Sequence, residues 1–122
     1  MAKLNGDNEI GQDGNKGAGD DDGYGSFTAI RDGDQLCYGL TAAKLAKPVA
    51  AHIHAATAGA NGDIVIPLRQ PSGGDPGPSA GCTTADATLL GKIFANPAAY
   101  YVNVHTGDFP NGAARGQLQR NR

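Results

Sequence analysis

Tryptophan is absent from the 122-residue sequence, methionine occurs only at position 1, and the aromatic rings come from three phenylalanines and four tyrosines. Alanine accounts for 20 residues, so few side chains are large enough to fill a wide core. Neither sign of charge dominates, because the 10 Lys and Arg residues nearly balance the 12 Asp and Glu residues and leave a net charge of −2. The absence of a basic excess argues against a nucleic-acid-binding protein.

Long apolar runs are also missing. No stretch approaches the ~18 apolar residues that a membrane-spanning helix needs. The N-terminus is polar almost from the start and has no apolar segment of the kind found in a signal peptide. We therefore expect no membrane span, and either a cytosolic protein or the mature form of a secreted one.

Turn-forming residues, in contrast, are abundant. The 19 glycines and seven prolines favour short strands joined by tight turns over a helix bundle. The length corresponds to a single domain over residues 1–122. Residues 1–25 form a polar N-terminal segment rich in Gly and Asp, and its run of three acids at positions 20–22 lacks the spacing of a calcium-binding loop.

The apolar pattern predicts an all-β fold. A hairpin is expected between residues 27–30 and 36–40, with its turn at Asp32-Gly33. One amphipathic helix is predicted near residues 85–95, capped by Thr83 or Thr84, and residues 71–81 are predicted to be a loop. The other predicted strands cover residues 50–54, 63–68, 100–105 and 113–118. These elements predict an antiparallel, Greek-key-like β-sandwich with one short helix.

Cys37 and Cys82 are the only cysteines. Their wide separation and the lack of a Cys-x-x-Cys motif argue against a metal or redox motif and favour a disulfide. By chain entropy such a bridge would contribute about 4 kcal/mol to stability. Two buried free thiols are the alternative.

Strand alternation brings the three histidines of the chain onto matching faces. His52 and His54 share one face of a predicted strand, and His105 shares a face with Tyr101 and Asn103 in another. The apolar residues between them are expected to face the core, so these polar faces are expected to point away from it. If the strands are neighbours, three imidazoles can bind one metal ion. Ordinary hydrogen-bonded histidines are the alternative.

The rest of the sequence narrows the choice of metal. A blue-copper site is excluded, because a disulfide would use both cysteines and no methionine remains apart from Met1. Glu9 is the only glutamate, so a zinc hydrolase with a glutamate base has little support. We expect copper, with zinc as the less favoured ion. The final strand adds Arg115, expected to attract a small anion as the catalytic cation, and Gln117, expected with Tyr101 and Asn103 to surround the ligands.

Several short sequence motifs of the chain resemble those of a known family. They are Leu4-Asn5-Gly6-Asp7-Asn8-Glu9, Leu36-Cys37-Tyr38, Ala50-Ala51-His52-Ile53-His54, Asn61-Gly62-Asp63-Ile64-Val65, Tyr100-Tyr101-Val102-Asn103-Val104-His105-Thr106, Phe109-Pro110-Asn111-Gly112 and Arg115-Gly116-Gln117-Leu118. Over residues 3–119 the chain resembles the CHRD domain, the module named after chordin and found in many bacterial secreted proteins. The resemblance implies an extracytoplasmic β-sandwich, periplasmic or secreted. An acid often precedes the arginine by two positions, and Ala113 stands there instead, which leaves the charge of Arg115 freer.

At the level of the fold the chain is also similar to copper–zinc superoxide dismutase, a β-sandwich with a His-x-His strand, a disulfide and an arginine beside the copper. Three histidines cannot hold that enzyme's bridged two-metal site, so the similarity implies at most a copper-only superoxide dismutase acting on a small anion such as superoxide. The alternative is a non-enzymatic extracellular interaction or matrix module whose histidines are structural or bind a partner. The oligomeric state stays open, a homodimer included.

Overall fold

The structure is a computed structural model in which residues 1–72 and 77–120 are described. These residues form eight strands, one α-helix and two short 3₁₀ turns. The strands are β1 (Ala2–Asn5), β2 (Tyr24–Asp32), β3 (Gln35–Ala43), β4 (Pro48–Ala55), β5 (Asp63–Leu68), β6 (Gly77–Thr84), β7 (Tyr100–Thr106) and β8 (Ala114–Gln117); the helix is α1 (Ala87–Ala95), and the 3₁₀ turns are Gly6–Asn8 and Pro97–Ala99.

All the strand pairs are antiparallel, and the strands form one continuous sheet in the order β5-β4-β7-β8-β1-β2-β3-β6. The two edges of this sheet approach each other beyond the end of β5. There the backbone N–H of Arg69 donates to the hydroxyl of Tyr38 on β3 (2.8 Å), and Ser79 of β6 donates to the Arg69 carbonyl (2.7 Å). The predicted all-β class with a single helix is confirmed, as a sheet that curls almost closed.

The hairpin of β2 and β3 follows the predicted pattern. Asp32 pairs with Gln35, so the connection contains only two residues, and Gly33 at its start has a φ of 64°. Glycine adopts this left-handed conformation at little cost, which explains why the Asp-Gly signal marks a tight turn here.

One core lies on the concave side of the sheet, and α1 packs against it. Its largest fully buried apolar side chains are Leu4, Phe27, Leu36, Leu40, Ile53, Ile66, Leu90, Val102 and Val104. The helix begins after Asp86, whose carboxylate accepts a hydrogen bond from the N–H of Leu89 (3.3 Å). The predicted caps Thr83 and Thr84 are wrong, because both residues still belong to β6.

The prediction of a loop over residues 71–81 is wrong for its second half, since β6 begins at Gly77. Residues 73–76 lie outside the described residues. Strand β6 is at the edge of the sheet, where its proline at position 78 is tolerated because an edge strand need not pair on both sides. Cys82 on β6 lies opposite Cys37 on β3, and the predicted disulfide joins them.

The N-terminal segment is more than a polar tail. Strand β1 lies in the middle of the sheet between β8 and β2, with Asn5 paired to Arg115, and its alternate residues Ala2 and Leu4 are buried. Residues 6–23 then run across the outer face of β8, where the N–H of Asp20 donates to the carbonyl of Ala113 (2.9 Å). The segment therefore completes the sheet and covers part of its convex face.

Candidate metal centre

Strands β4, β7 and β8 are neighbours, so their polar residues align in rows across the sheet. His52 pairs with Asn103, which pairs with Arg115; His54 pairs with Tyr101, which pairs with Gln117; and Ala50 pairs with His105. The predicted polar faces thus combine into one surface, opposite the core face that carries Val102 and Val104. The strand-alternation argument is confirmed for this arrangement.

This polar surface is not open to solvent. Only 7% of His54, 9% of His105 and 2% of Asn103 is exposed, and His52 is partly buried. Residues 6–23 and the loops at 56–62 and 107–113 cover the polar surface, so it faces away from the main core but into a second, polar interior. The polar surface is buried because residues 6–23 cover it, and the pattern of the strands does not predict where that segment packs.

The three imidazoles form a compact donor set. One ring nitrogen from each of His52, His54 and His105 lies within 4.8 Å of the other two. Nδ1 of His52 is 3.0 Å from Nε2 of His105. Two nitrogens bound ~2.0–2.1 Å from one metal ion are about 2.9 Å apart at a right angle and about 3.4 Å apart at the tetrahedral angle. The donor atoms are imidazole nitrogens alone, which suits copper or zinc.

Backbone carbonyls hold two of the rings in orientation. The Nδ1–H of His54 donates to the carbonyl of Gly62 (2.9 Å), and the Nδ1–H of His105 donates to the carbonyl of Pro110 (2.9 Å). In His105 this bond leaves Nε2 free to accept a hydrogen bond from His52. In His54, Nε2 faces the side-chain oxygen of Asn103. Such outer partners are typical of metal-binding histidines, because they select the tautomer and fix the ring.

Asn103 and Tyr101 both contact His54, and their assignment as residues that surround metal ligands stays a prediction. Oδ1 of Asn103 is 2.9 Å from Nε2 of His54, so an ion bound by that nitrogen would replace this contact. The ring of Tyr101 is stacked on the imidazole of His54, with centroids 4.7 Å apart and planes 1° apart. Gln117 has a different place: its amide donates to the carbonyls of Ala56 and Ala98 (both 2.7 Å).

The surroundings of His52 and His105 favour the neutral forms of these two rings. Burial, and then the charges of His105 and His54, lower the pKa of His52. Burial also lowers the pKa of His105, against the opposing effect of the Pro110 carbonyl. Because only an unprotonated imidazole binds a metal ion, both shifts keep these nitrogens available near neutral pH.

Arg115 is buried, with 2% of its surface exposed. Its guanidinium donates to Asn61 Oδ1 (3.1 Å) and to the carbonyls of Thr57 (3.3 Å) and Ala60. It also lies over the ring of Tyr101, 3.4 Å from the centroid. These contacts use three of the five guanidinium N–H groups, and they favour a structural role. The assignment of Arg115 as a catalytic cation stays a prediction.

Glu9 is the residue near this site that the sequence argument missed. Only 3% of it is exposed, and its pKa is raised to about 7, chiefly by burial, against the lowering effects of Arg115 and Asn103. The charge of Glu9 acts on Arg115, although position 113 holds alanine and not an acid. Oε2 of Glu9 has no hydrogen-bond partner among the described residues, and the carboxyl lies against Gly112, where any Cβ would overlap it. The one available signal was an isoleucine directly after Glu9 in a polar segment.

A cavity of about 430 Å³ adjoins the cluster on the His54 side. Its wall includes Glu9, His54, Tyr101, Asn103 and residues 108–112. It provides a space beside the imidazoles that is large enough for a small ligand.

Comparisons with known proteins bear on the family and not on the chemistry. Searches of curated proteins and of solved structures found no match. The single described α-helix is too short to cross a membrane. The CHRD domain family matches residues 1–118, nearly the whole chain. The chain belongs to the CHRD domain family.

Proposed function

We propose that this CHRD domain is an extracytoplasmic copper-binding domain that uses His52, His54 and His105 as ligands. The observation that carries the proposal is the mutual approach of three imidazole nitrogens within 4.8 Å. The carbonyls of Gly62 and Pro110 support it, because they orient two of the rings as an outer shell does in a metal site.

Nε2 of His54, Nε2 of His105 and Nδ1 of His52 are the nitrogens that would hold the ion. Bound copper would supply one-electron oxidation and reduction, and zinc, the less favoured ion, would supply only a Lewis acid. The protein lowers the pKa of His52 and His105, buries most of the cluster and keeps a cavity beside His54 for a small substrate. Superoxide dismutation is the reaction that we propose for this site, with superoxide as the small anionic substrate.

The test is a titration of purified protein with copper and zinc in competition, followed by electron paramagnetic resonance. We expect one copper ion per chain with nitrogen hyperfine structure, and loss of most of the affinity in His54→Ala. Gln35→Ala, on the exposed side of β3, is the matched control and should bind copper as the wild type does. Equal copper uptake by wild type and His54→Ala would refute the copper site.

The dismutase reaction is tested separately. Copper-loaded protein should remove superoxide faster than the same concentration of copper in buffer, and His105→Ala should lose the difference. If copper binds at the three histidines but superoxide removal is no faster than with free copper, the binding proposal stands and the enzymatic one fails.

A second candidate function is a non-enzymatic extracellular module in which the histidines are structural. The observation in its favour is that all three rings have hydrogen-bond partners without an ion: His52 with His105, His54 with Gly62 and Asn103, and His105 with Pro110. In that case histidine substitutions should lower the stability of the metal-free protein, and the wild type should not bind copper. The disulfide and the extracellular character of CHRD domains support a periplasmic or secreted location for both candidates. Neither candidate requires a homodimer.

A further inference from the structure

Three planar groups are stacked beside the histidine cluster. The guanidinium carbon of Arg115 is 3.4 Å from the ring centroid of Tyr101, and the imidazole of His54 is parallel to the same ring at 4.7 Å. A guanidinium centred so closely over the ring leaves no room for an imidazole on that side. Arg115 and His54 therefore lie on opposite faces of Tyr101, and the tyrosine separates the buried cation from a candidate metal ligand.

The same guanidinium also holds the loop that follows β4. Its donors reach the carbonyls of Thr57 and Ala60 and the side-chain oxygen of Asn61. The N–H of Ala60 donates to the Thr57 carbonyl (3.2 Å), so the cation binds both ends of one turn. An arginine is suited to this task because its planar fork presents several donors in fixed directions while its face stacks on an aromatic ring.

This loop ends at Gly62, which contacts both His54 and Tyr101. The Gly62 carbonyl accepts the Nδ1–H of His54, and its N–H donates to the Tyr101 hydroxyl (3.2 Å). Besides Asn103 at Nε2, two contacts fix the ring of His54, one with Tyr101 on its face and one with the Gly62 carbonyl at Nδ1. Arg115 supports both of them, the first through Tyr101 and the second through the turn that leads to Gly62.

We propose that Arg115 is a positioning residue of the histidine cluster, which fixes the ring of His54 through Tyr101 and the 57–62 loop. The importance of this for metal binding rests on the proposed function, whereas the effect on the ring of His54 does not. In this role the guanidinium directs its hydrogen bonds at protein oxygens and not at a substrate. Lysine, with a point charge and no planar fork, cannot replace these contacts.

The experiment compares Arg115→Lys with wild type by NMR of the metal-free protein. The ring protons of His54 experience the ring current of Tyr101, so loosening the stack should move their signals, while those of His52 move less. Copper affinity, measured by competition with a chelator, should fall by about 10- to 100-fold, as expected when an outer partner of a ligand is lost. Arg31→Lys is the matched control, because Arg31 makes hydrogen bonds to the carbonyls of Gly33 and Ala87, away from the cluster.

The outcomes separate this proposal from the proposed function. If wild type binds no copper, the copper site fails, and the His54 signals still report on positioning. Unchanged His54 signals in folded Arg115→Lys would overturn the positioning role. The same holds if Arg115→Lys keeps its His54 signals and copper affinity but removes superoxide more slowly, because Arg115 would then act on the substrate.

A second pair of variants applies if Arg115→Lys does not fold. Asn61→Ala removes the side-chain oxygen that Arg115 contacts and also the amide that donates to the Ile10 carbonyl (3.0 Å). Asn61→Asp also removes the amide donor, but it keeps an oxygen for Arg115 and adds a negative charge beside it. A shift of the His54 signals in Asn61→Ala that is absent in Asn61→Asp supports the proposal, and equal behaviour of the two variants contradicts it.

Discussion

Nδ1 of His52 and Nε2 of His105 lie 3.0 Å apart, although 53 residues separate them along the chain. In the metal-free protein the Nδ1–H of His52 donates to His105, since the other nitrogen of His105 donates its hydrogen to the Pro110 carbonyl. The two rings therefore form one hydrogen-bonded unit, which a second proton would disrupt by placing two charges at contact distance.

This relationship predicts how the histidines titrate. Both pKa values are lowered from the ordinary 6.5, so the folded protein binds these protons less readily than the unfolded chain does. The two groups add stability above pH 6.5, and this stability is lost as the pH falls through their folded-state pKa values. NMR titration of the metal-free protein should give midpoints for His52 and His105 below those of the urea-unfolded chain. A midpoint at or above the unfolded value for both rings would contradict the prediction.

Glu9 predicts a pH dependence of the opposite sign. Its pKa is raised from 4.5 to about 7, so the folded state keeps a proton that the unfolded chain releases. Its contribution is complete below pH 4.5 and is lost as the pH rises to about 7. At pH 8, Glu9→Gln should therefore be more stable than wild type by up to about 3 kcal/mol, at 1.36 kcal/mol per pKa unit.

Urea unfolding of wild type and Glu9→Gln at pH 5, 6, 7 and 8 provides this measurement. The histidines contribute equally to both proteins, so the difference between them isolates Glu9. Asp7→Asn, at an exposed position in the same segment, is the control and should follow wild type at every pH. Parallel stability curves for wild type and Glu9→Gln would show that the carboxyl of Glu9 titrates normally.

Gly112 is predicted to be intolerant of any side chain. Its φ is 134°, and a Cβ there would overlap the carboxyl of Glu9. Gly112→Ala should lose about 1–3 kcal/mol of unfolding free energy from backbone strain, and more from the overlap. Gly107→Ala should lose much less, because no atom of residues 1–72 or 77–120 lies within 4 Å of a new Cβ there. In a Glu9→Ala background the cost of Gly112→Ala should fall, because the overlap is gone; an unchanged cost would refute the contact.

The disulfide predicts a local effect. It joins β3 to the edge strand β6, which has no strand partner on its other side among the described residues. Replacing both Cys37 and Cys82 by Ala should lower the free energy of unfolding by about 4 kcal/mol, the chain-entropy value for a loop of this size. Hydrogen exchange should accelerate most in residues 77–84. Equal acceleration in β7 would show that the bridge stabilises the whole sheet evenly.

The histidine cluster was predictable because it depends on a short-range rule. Side chains alternate with a period of two, so His52 and His54 must share a face once β4 is a strand, and His105 must lie opposite Val104 on β7. The Asp32-Gly33 turn was predictable for the same reason, since two residues and one left-handed glycine define it. What alternation cannot tell is whether a face is covered, because that depends on segments far away in the chain.

Three features could therefore not be predicted from the sequence. Strand β6 consists of residues with little intrinsic preference for strands, and it forms through pairing with β3 and the bridge to Cys37. Glu9 and the covering segment are buried by tertiary contacts that leave no periodic pattern. The partners of Arg115 lie in a loop 54 to 58 positions earlier, so the strand pattern predicted its face correctly and could not predict what it binds.

Strand β1 has a consequence for the order in which the molecule forms. It pairs with β8, Asn5 against Arg115, so a central seam of the sheet joins segments 110 positions apart in the chain. Contacts of such long range make folding slow, because a large loop must close before they add stability. A chain that is synthesised from its N-terminus cannot complete this sheet until β8 has been synthesised and can pair with β1. An ion held by all three histidines could bind only after His105 on β7 has emerged and lies beside β4.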